Sequence, residues 1–493
     1  MQTLEPGATA LLFLGMGALL ALSAILTRAT QRLSVPLTLL FLVLGMLAGT
    51  EGIGGIVFDD FEFAYRAGSA ALVLILFDGG LKTPVPTIRL VAAPAAVLAT
   101  VGVIGTAGLV AMFARLLGLP WAPALLLGAV VSSTDAAAVF SVLRGTGTSL
   151  HQKLGATLEV ESGFNDPVAV ILTTMLTENL LVPHELSVWG SALQIVQHIV
   201  IGGAAGLAVG AATRFALTRY RLPASGLYPV LTLGAALLAF SIPTLLHGSG
   251  FLGVYVAAVV IGSGRLPYRG SLMRVHDALA WFGQVTMFLM LGLLVVPSRL
   301  FDVASVGLIL ALLLAFVARP LVVALCLIPF RYTARQVGYL GWVGLRGAVP
   351  IVLAVFPVLV RAPGAEWLFN VVFFIVVVNS LIPGATVPWV TRRLGFDADV
   401  APPPQAILEI ESQVQLNAEL LAFTIDEALP VAGELIGDLP FPENAAVTMI
   451  VRGRELIAPK GMTRLEPGDH VYVIVTEADR GFVELLFGHS NTE

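Results

Sequence analysis

The chain has 493 residues, 57% of them hydrophobic and 12% charged, with a mean hydropathy of +0.91 and a formal net charge of −5. Soluble globular chains carry about 25% charged residues, so an ordinary soluble enzyme or nucleic-acid-binding domain is excluded. The composition is that of a polytopic membrane protein whose first partner is the lipid bilayer.

The N-terminal MQTLEPG has no basic leader, so the apolar run at 8–27 reads as a retained first helix. Further apolar runs follow at 35–50, 66–81, 90–114, 121–143, 154–177, 188–213, 225–246, 250–264, 275–296, 303–329, 334–360 and 366–390. One crossing needs roughly 20 apolar residues, and thirteen spans are expected, the second, third and ninth of them short. Sixteen basic residues, among them Lys82, Arg144, Lys153 and Arg392, fall in alternate connections beginning after the first span, against four in the others. Basic residues mark the cytoplasmic side. The N-terminus is therefore expected outside and the C-terminus inside, in a multi-pass protein of a bacterial inner membrane. The lone cysteine, Cys326, excludes an intrachain disulfide.

Seven ionisable residues lie within expected spans: Asp78, Asp135, Glu159, Glu161, Asp166, Arg319 and Arg346. A charge at the bilayer centre costs about 2.5–3.5 kcal/mol on insertion scales, so such residues face a bundle interior and mark function. Two of them, Glu161 and Asp166, fall in VESGFNDPVAV at 160–170. On a helix Ser162 and Asp166 share a face, with Glu159 seven residues before Asp166 on the same face. Glu161 and Asn165 share a neighbouring face about 100° round. The first face offers a carboxylate with a hydroxyl oxygen beneath it, which suits a hard cation. The second offers an acid placed to pair with an arginine, either Arg319 or Arg346. Asp78, four residues before Lys82, reads as a surface pair or a funnel residue, and Glu159 as lining a cytoplasmic funnel.

Two spans carry interruptions: SSTD at 132–135 and the glycine-rich GWVGLRGAV at 341–349. They are seven spans apart and so run in opposite directions, the geometry of an inverted repeat whose broken helices cross at the midplane and form an ion site. In such a crossing Asp135 would offset the positive end of one half-helix and Arg346 the negative end of another. Gly202, Gly203, Gly206 and Gly210 read as helix-packing positions. After the proline linker (396–404, with APPP at 401–404), residues 405–487 mix charges with short alternating runs and read as a small cytosolic α+β domain. This tail has no G-x-G-x-x-G after a strand and no Walker A sequence, so no cofactor, no ATP-driven engine and no enzyme activity are expected.

SSTD (132–135), ESGFND (161–166), ARP (318–320) and GLRGAV (344–349) together resemble the NhaP-type cation:proton antiporters, the electroneutral branch of their superfamily, across about residues 8–395. The tail segment VRGRELIAPKGMTRLEPGDHVYVIV is similar to the TrkA-C (RCK-C) domain, a combination found in bacterial cell-volume-regulation antiporters. Ala136 stands where many NhaP relatives have proline after the SSTD aspartate, which points to the potassium-linked subgroup. The resemblance implies thirteen helices, a homodimer, and a core domain moving against a dimerisation domain. It implies Asp166 as the cation- or proton-binding carboxylate, with Ser162 and Thr134 completing a potassium or sodium shell. Asp135 and Glu161 join the candidate cation- and proton-binding set, with Asn165, Arg319 and Arg346 in structural and charge-compensating roles and Glu161 paired to Arg319. The residues of the tail domain leave two expectations open, a nucleotide-type regulatory ligand or simple dimerisation. A sodium- or proton-coupled symporter of a small organic solute is the alternative.

An ionised, empty Asp166 is costly to carry through a low-dielectric barrier, whereas a protonated or cation-loaded one is not. Only loaded forms then cross, which couples cation to proton. Asn165 in place of a second acid, and Glu161 neutralised by arginine, predict an electroneutral one-for-one cycle with a bell-shaped pH profile.

Overall fold

The computed structural model describes residues 7–30, 36–181, 188–264, 266–397, 418–427, 429–453, 455–476 and 478–488. The chain divides into two compact units, Met1–Ala398 and Asp399–Glu493.

The first unit is helical: α1 (Gly7–Thr30), α2 (Leu37–Ala48), α3 (Phe61–Lys82), α4 (Val85–Val97), α5 (Val103–Leu116), α6 (Trp121–Val130), α7 (Ala136–Gly145), α8 (Gln152–Leu181) and α9 (Val188–Arg219). There follow α10 (Leu227–Leu245), α11 (Gly250–Gly262), α12 (Arg269–Leu293), α13 (Pro297–Leu313), α14 (Arg319–Leu327), α15 (Ala334–Trp342), α16 (Ala348–Leu359) and α17 (Ala365–Leu394). A π-turn at Leu98–Gly102 joins α4 to α5, and another at Leu314–Ala318 joins α13 to α14. Counting α4–α5, α6–α7, α13–α14 and α15–α16 as one pass each leaves thirteen passes among the described residues. Six of the helical stretches are long and apolar enough to cross a membrane by themselves. The third pass is longer than its apolar run: Asp60 accepts from Phe63 N at 2.8 Å and caps the helix five residues early, carrying it through the polar DDFE stretch. The second and ninth remain short, at 12 and 13 residues.

The inverted repeat is visible in the order of elements. A long helix with a π-turn, a broken helix and a 30-residue helix occur as α4–α8 and again as α13–α17. Within this group α4 packs on α8, α5 on α6, α13 on α17 and α14 on α15. The remaining helices form a second group, in which α3 packs on α11 and α12, α12 on α2, and α11 on α9 and α10. The groups meet where α3 lies against α16 and α11 against α8. Close approach of α9 to α11 depends on glycine: a Cβ on Gly202 would come 2.5 Å from Ser249 O, and one on Gly206 would overlap Gly253 O. Gly203 has nothing within 4 Å, so it is the one of the four glycines outside that seam.

Phe396 and Asp397, expected in the linker, pair with the turn between α7 and α8: His151 N donates to Phe396 O at 3.1 Å, and Ser149 N to Asp397 Oδ1 at 3.2 Å. The rest of the expected linker and residues 405–417 lie outside the described residues. The second unit is a four-stranded antiparallel sheet, β1 (Ala418–Thr424), β2 (Ala446–Arg452), β3 (Glu455–Ile457) and β4 (His470–Thr476), in the order β1-β4-β2-β3. Helix α18 (Arg480–Phe487) contributes Val483 and Phe487 to a core with Phe423, Ile450, Val471 and Val473. This is the α+β tail the alternating runs predict.

Candidate cation site

The site is built first from backbone. Helix α6 ends at Val130 and α7 begins at Ala136, with SSTD between them; α15 ends at Trp342 and α16 begins at Ala348, with GLRG in the gap. The two breaks meet: Asp135 N donates to Leu345 O at 2.9 Å. Asp135 is the N-cap of α7, its carboxylate accepting from Ala138 N at 3.1 Å, so a negative charge sits on the positive end of a half-helix. Glycine is required opposite it, because a Cβ on Gly347 would overlap Asp135 Oδ2.

Helix α8 splints the unwound segment. Ser162 Oγ donates to Thr134 O at 3.1 Å and accepts from Ala136 N at 3.2 Å. Asn165 Nδ2 lies 2.6 Å from Thr134 Oγ1 and 3.3 Å from Thr134 O. These bonds satisfy backbone groups that the break leaves without a partner inside a helix. One turn beyond Ser162, Asp166 is 8% exposed and its Oδ1 has no hydrogen-bond partner. Asn165 Oδ1 is likewise buried without a partner among the described residues, and the Ser133 hydroxyl, with no close hydrogen bond of its own, is set towards the Asp166 carboxylate. Leaving a buried polar atom unsatisfied costs about 1–3 kcal/mol, more if charged. Orphaned oxygens gathered at one helix break are the chemistry of a hard monovalent cation or a proton.

Glu161 is turned away from this locus. Its carboxylate meets Arg319 in a two-pronged ion pair, at 2.7 Å from Nη1 and 2.9 Å from Nη2, with the side chains 1% and 3% exposed. The partner is therefore Arg319 and not Arg346; the Glu161 charge is already matched, and its side chain does not line the cavity. Arg346 is 1% exposed, and none of its three guanidinium nitrogens has a hydrogen-bond partner among the described residues.

A cavity of about 670 Å³ takes in Asp166, Ser162 and Asp135 at its floor and Asp78, Glu159 and Arg144 towards its mouth. Thr134 lies behind Ser162 and does not line it. Asp78 does pair with Lys82, at 2.7 Å, but Lys82 also reaches Asp277 at 2.6 Å, so the mouth carries a three-membered ion cluster. The i,i+4 spacing exposes the first pair in the sequence. Asp277 stands at the edge of an apolar run, and nothing in its own neighbourhood links it to Lys82. Two more residues carry no sequence signal: Thr83, whose Oγ1 is 3.0 Å from Glu159 Oε1, and Tyr255, 3% exposed and packed over Gly163.

Crossed breaks over a buried carboxylate, with a cavity leading to it, describe an ion exchanger, and the sequence comparisons agree. Residues 18–393 match the family model for the sodium/hydrogen exchanger, transmembrane, and residues 420–486 match the TrkA-C domain. The chain belongs to the sodium/hydrogen exchanger family. This exchanger is 39% identical over 472 residues to the K(+)/H(+) antiporter NhaP of Alkalimonas amylolytica, covering 95% of this chain and 82% of that one. It is 39% identical over 482 residues to the K(+)/H(+) antiporter NhaP2 of Shewanella sp. strain ANA-3, covering 97% and 83%. Its fold is similar to that of the sodium proton antiporter MjNhaP1 from Methanocaldococcus jannaschii, with TM-score 0.67 and 23% identity over 78% of this chain and 99% of the other. It is a membrane-embedded cation:proton antiporter with a C-terminal TrkA-C regulatory domain.

Proposed function

We propose that this exchanger carries potassium against protons, one for one and electroneutrally, with Asp166 as the shared carboxylate. The observation that carries the reading is the orphaned Asp166 Oδ1 at the cavity floor beside the SSTD break. Ser162 lines the same cavity one turn before Asp166 and offers a hydroxyl oxygen, and Thr134 O, 3.1 Å from that hydroxyl, stands directly behind it. Asp135 stays as a helix cap. Potassium, and not sodium, is supported by the K(+)/H(+) activity named for the two relatives at 39% identity. Electroneutrality is supported by the Glu161–Arg319 pair, which cancels a charge that would otherwise travel with the site.

The protein acts as a carrier and not as an enzyme. It sits in a bacterial inner membrane with the N-terminus outside and the tail inside, as the basic connections indicate, and serves cation and pH homeostasis. It works as a homodimer, whose contact falls to the poorly buried α9, only 17% of whose apolar window is covered. The tail tunes the rate, with a nucleotide-type ligand as its signal.

The test is proton movement in proteoliposomes of the intact chain on addition of potassium, sodium or lithium salts. Potassium-driven proton efflux that Asp166→Asn abolishes is the expected result. Efflux that survives in the variant transfers the carrier role to Asp135, and no response to any cation in the intact chain removes the antiport reading.

A further inference from the structure

Helix α11 is anchored on three sides within the second helix group. Gly80 of α3 admits it so closely that a Cβ there would come 2.7 Å from Ala258 Cβ and 2.9 Å from Tyr255 O. Its Gly253 lies against Ala239 O of α10 and receives Gly206 of α9. Across its remaining contact α11 meets α8 of the other group. Tyr255 bridges that gap, 3% exposed, on a backbone that has no room to retreat.

Gly163 on α8 receives the ring. A Cβ there would come 2.5 Å from Cε2 and Cζ of Tyr255 and 3.0 Å from its hydroxyl oxygen. Phe164 meets the same ring edge-on, with centroids 5.3 Å apart and planes at 70°. Glycine is a poorer residue than alanine inside a helix, and here the notch it leaves is filled by a side chain of the other group. The Tyr255 hydroxyl, set towards Thr83, makes no close hydrogen bond, so the ring makes the contact.

The notch lies on the turn that carries the site. Ser162 and Asn165 tie this turn to the unwound SSTD segment, and Asp166 follows three residues after Gly163. Tyr255, Gly163, Ser162 and Asp166 line one cavity. A fixed post in one helix group is thus joined to the ion-binding turn of the other. For Asp166 to face the opposite side the groups must shift, and the ring must leave its notch.

Resting on the exchange reading above, we propose that Tyr255 and Gly163 form the seat that fixes the orientation in which Asp166 faces this cavity. Tyr255 is a positioning residue, acting on the cation through α8 and not as a ligand. When the ring cannot enter the notch, fewer molecules hold the orientation that takes cation from the cavity's side. The apparent affinity from that side falls by the same factor.

The test is potassium-driven proton movement by the intact chain in everted membrane vesicles, over a range of potassium chloride concentrations and normalised to folded protein. These vesicles present to the added salt the face bearing Lys82 and Arg144, cytoplasmic by its basic connections. Gly163→Ala overpacks the seat and should raise the half-saturating concentration about tenfold. In right-side-out vesicles the same variant should lower it, since the opposite orientation gains what this one loses. Tyr255→Phe keeps the ring and should stay within about twofold of the wild type. Tyr255→Ala empties the notch and should raise half-saturation about fivefold in everted vesicles. In that background Gly163→Ala has no ring to strike and should add nothing. A Gly163→Ala effect as large without the ring as with it overturns the seat, because the methyl group then acts on α8 alone. So does a Gly163→Ala protein with wild-type half-saturation, whatever its melting temperature, or one equally impaired in both kinds of vesicle. A Tyr255→Phe protein as impaired as Tyr255→Ala gives the role to the hydroxyl and also overturns it. An intact chain that exchanges no cation for protons fails the exchange reading itself.

Discussion

The carboxylate of Asp135 occupies the volume where a side chain on Gly347 would begin, so the cap of one half-helix is seated directly on the backbone of the other. A methyl group at 347 cannot be housed by rotating a flexible tip, because Asp135 is held by Ala138 N and its own amide by Leu345 O. Gly347→Ala must therefore spread the crossing. A shift of about 1 Å at a reacting group costs about 10²-fold in rate, and that loss is expected for exchange. Gly108→Ala on α5, where nothing lies within 4 Å of the new atom, should leave transport and melting temperature unchanged. Dye-reported proton efflux for the two variants, normalised to folded protein, checks the contrast.

Glu161 and Arg319 are both buried and held by one hydrogen bond and a second ionic contact. Removing one partner from such a pair costs about 3–5 kcal/mol because the other charge is stranded, whereas replacing both with apolar groups is often neutral. Glu161→Met and Arg319→Met are each expected to lower the melting temperature sharply in detergent, and the double variant to recover most of the loss. A double variant as unstable as the sum of the singles would mean that the pair does more than cancel charge.

Much of this was legible in the residues. Hydropathy and the alternation of basic connections gave thirteen passes, and the parity of SSTD and GLRG gave the crossing. The 3.6-residue period placed Ser162 with Asp166 and turned Glu161 aside. What stayed hidden depends on long-range packing. The choice of Arg319 over Arg346 is made by the π-turn at 314–318, just before Arg319, and by Gly344, where a Cβ would come 2.7 Å from Arg319 Nε. Asp277, Thr83 and Tyr255 join the cavity only because α12 and α11 fold back onto α3, which no local spacing encodes. The extra turns of α3 were masked for a different reason: its first turn is acidic, and hydropathy cannot see a helix whose start is fixed by a cap.

If one carboxylate serves both cargoes, the acid limb of the pH profile must move with cation concentration. Protons exclude the cation from Asp166 at low pH, so raising the cation tenfold should lower the acid-side midpoint by about one pH unit until saturation, by simple linkage. The alkaline limb is set by proton supply and should stay or fall slightly. Initial exchange rates over a grid of pH and potassium concentration decide it. A midpoint indifferent to potassium would place proton and cation on separate groups.

In the tail, Asp469 is fully buried and is held by Arg452, Nε to Oδ1 at 2.8 Å and Nη2 to Oδ2 at 2.9 Å. The carboxylate beside it holds the Arg452 guanidinium even further up than usual. Arg452 also reaches Arg464 O at 2.8 Å, so one side chain ties the end of β2 to the loop that leads into β4. Arg452→Ala strands the Asp469 charge and is expected to cost the tail about 3 kcal/mol. In the intact chain this should appear as amide exchange faster by about 10²-fold in β2 and β4, with the membrane helices unaffected. Exchange activity should persist, because Asp166 and its splints lie wholly in the first unit, but its pH response should become that of a chain deleted after residue 404. A variant that loses tail protection and also stops transporting would assign the domain a structural part in holding the exchanger together, since regulation alone cannot abolish a cycle whose binding groups are intact.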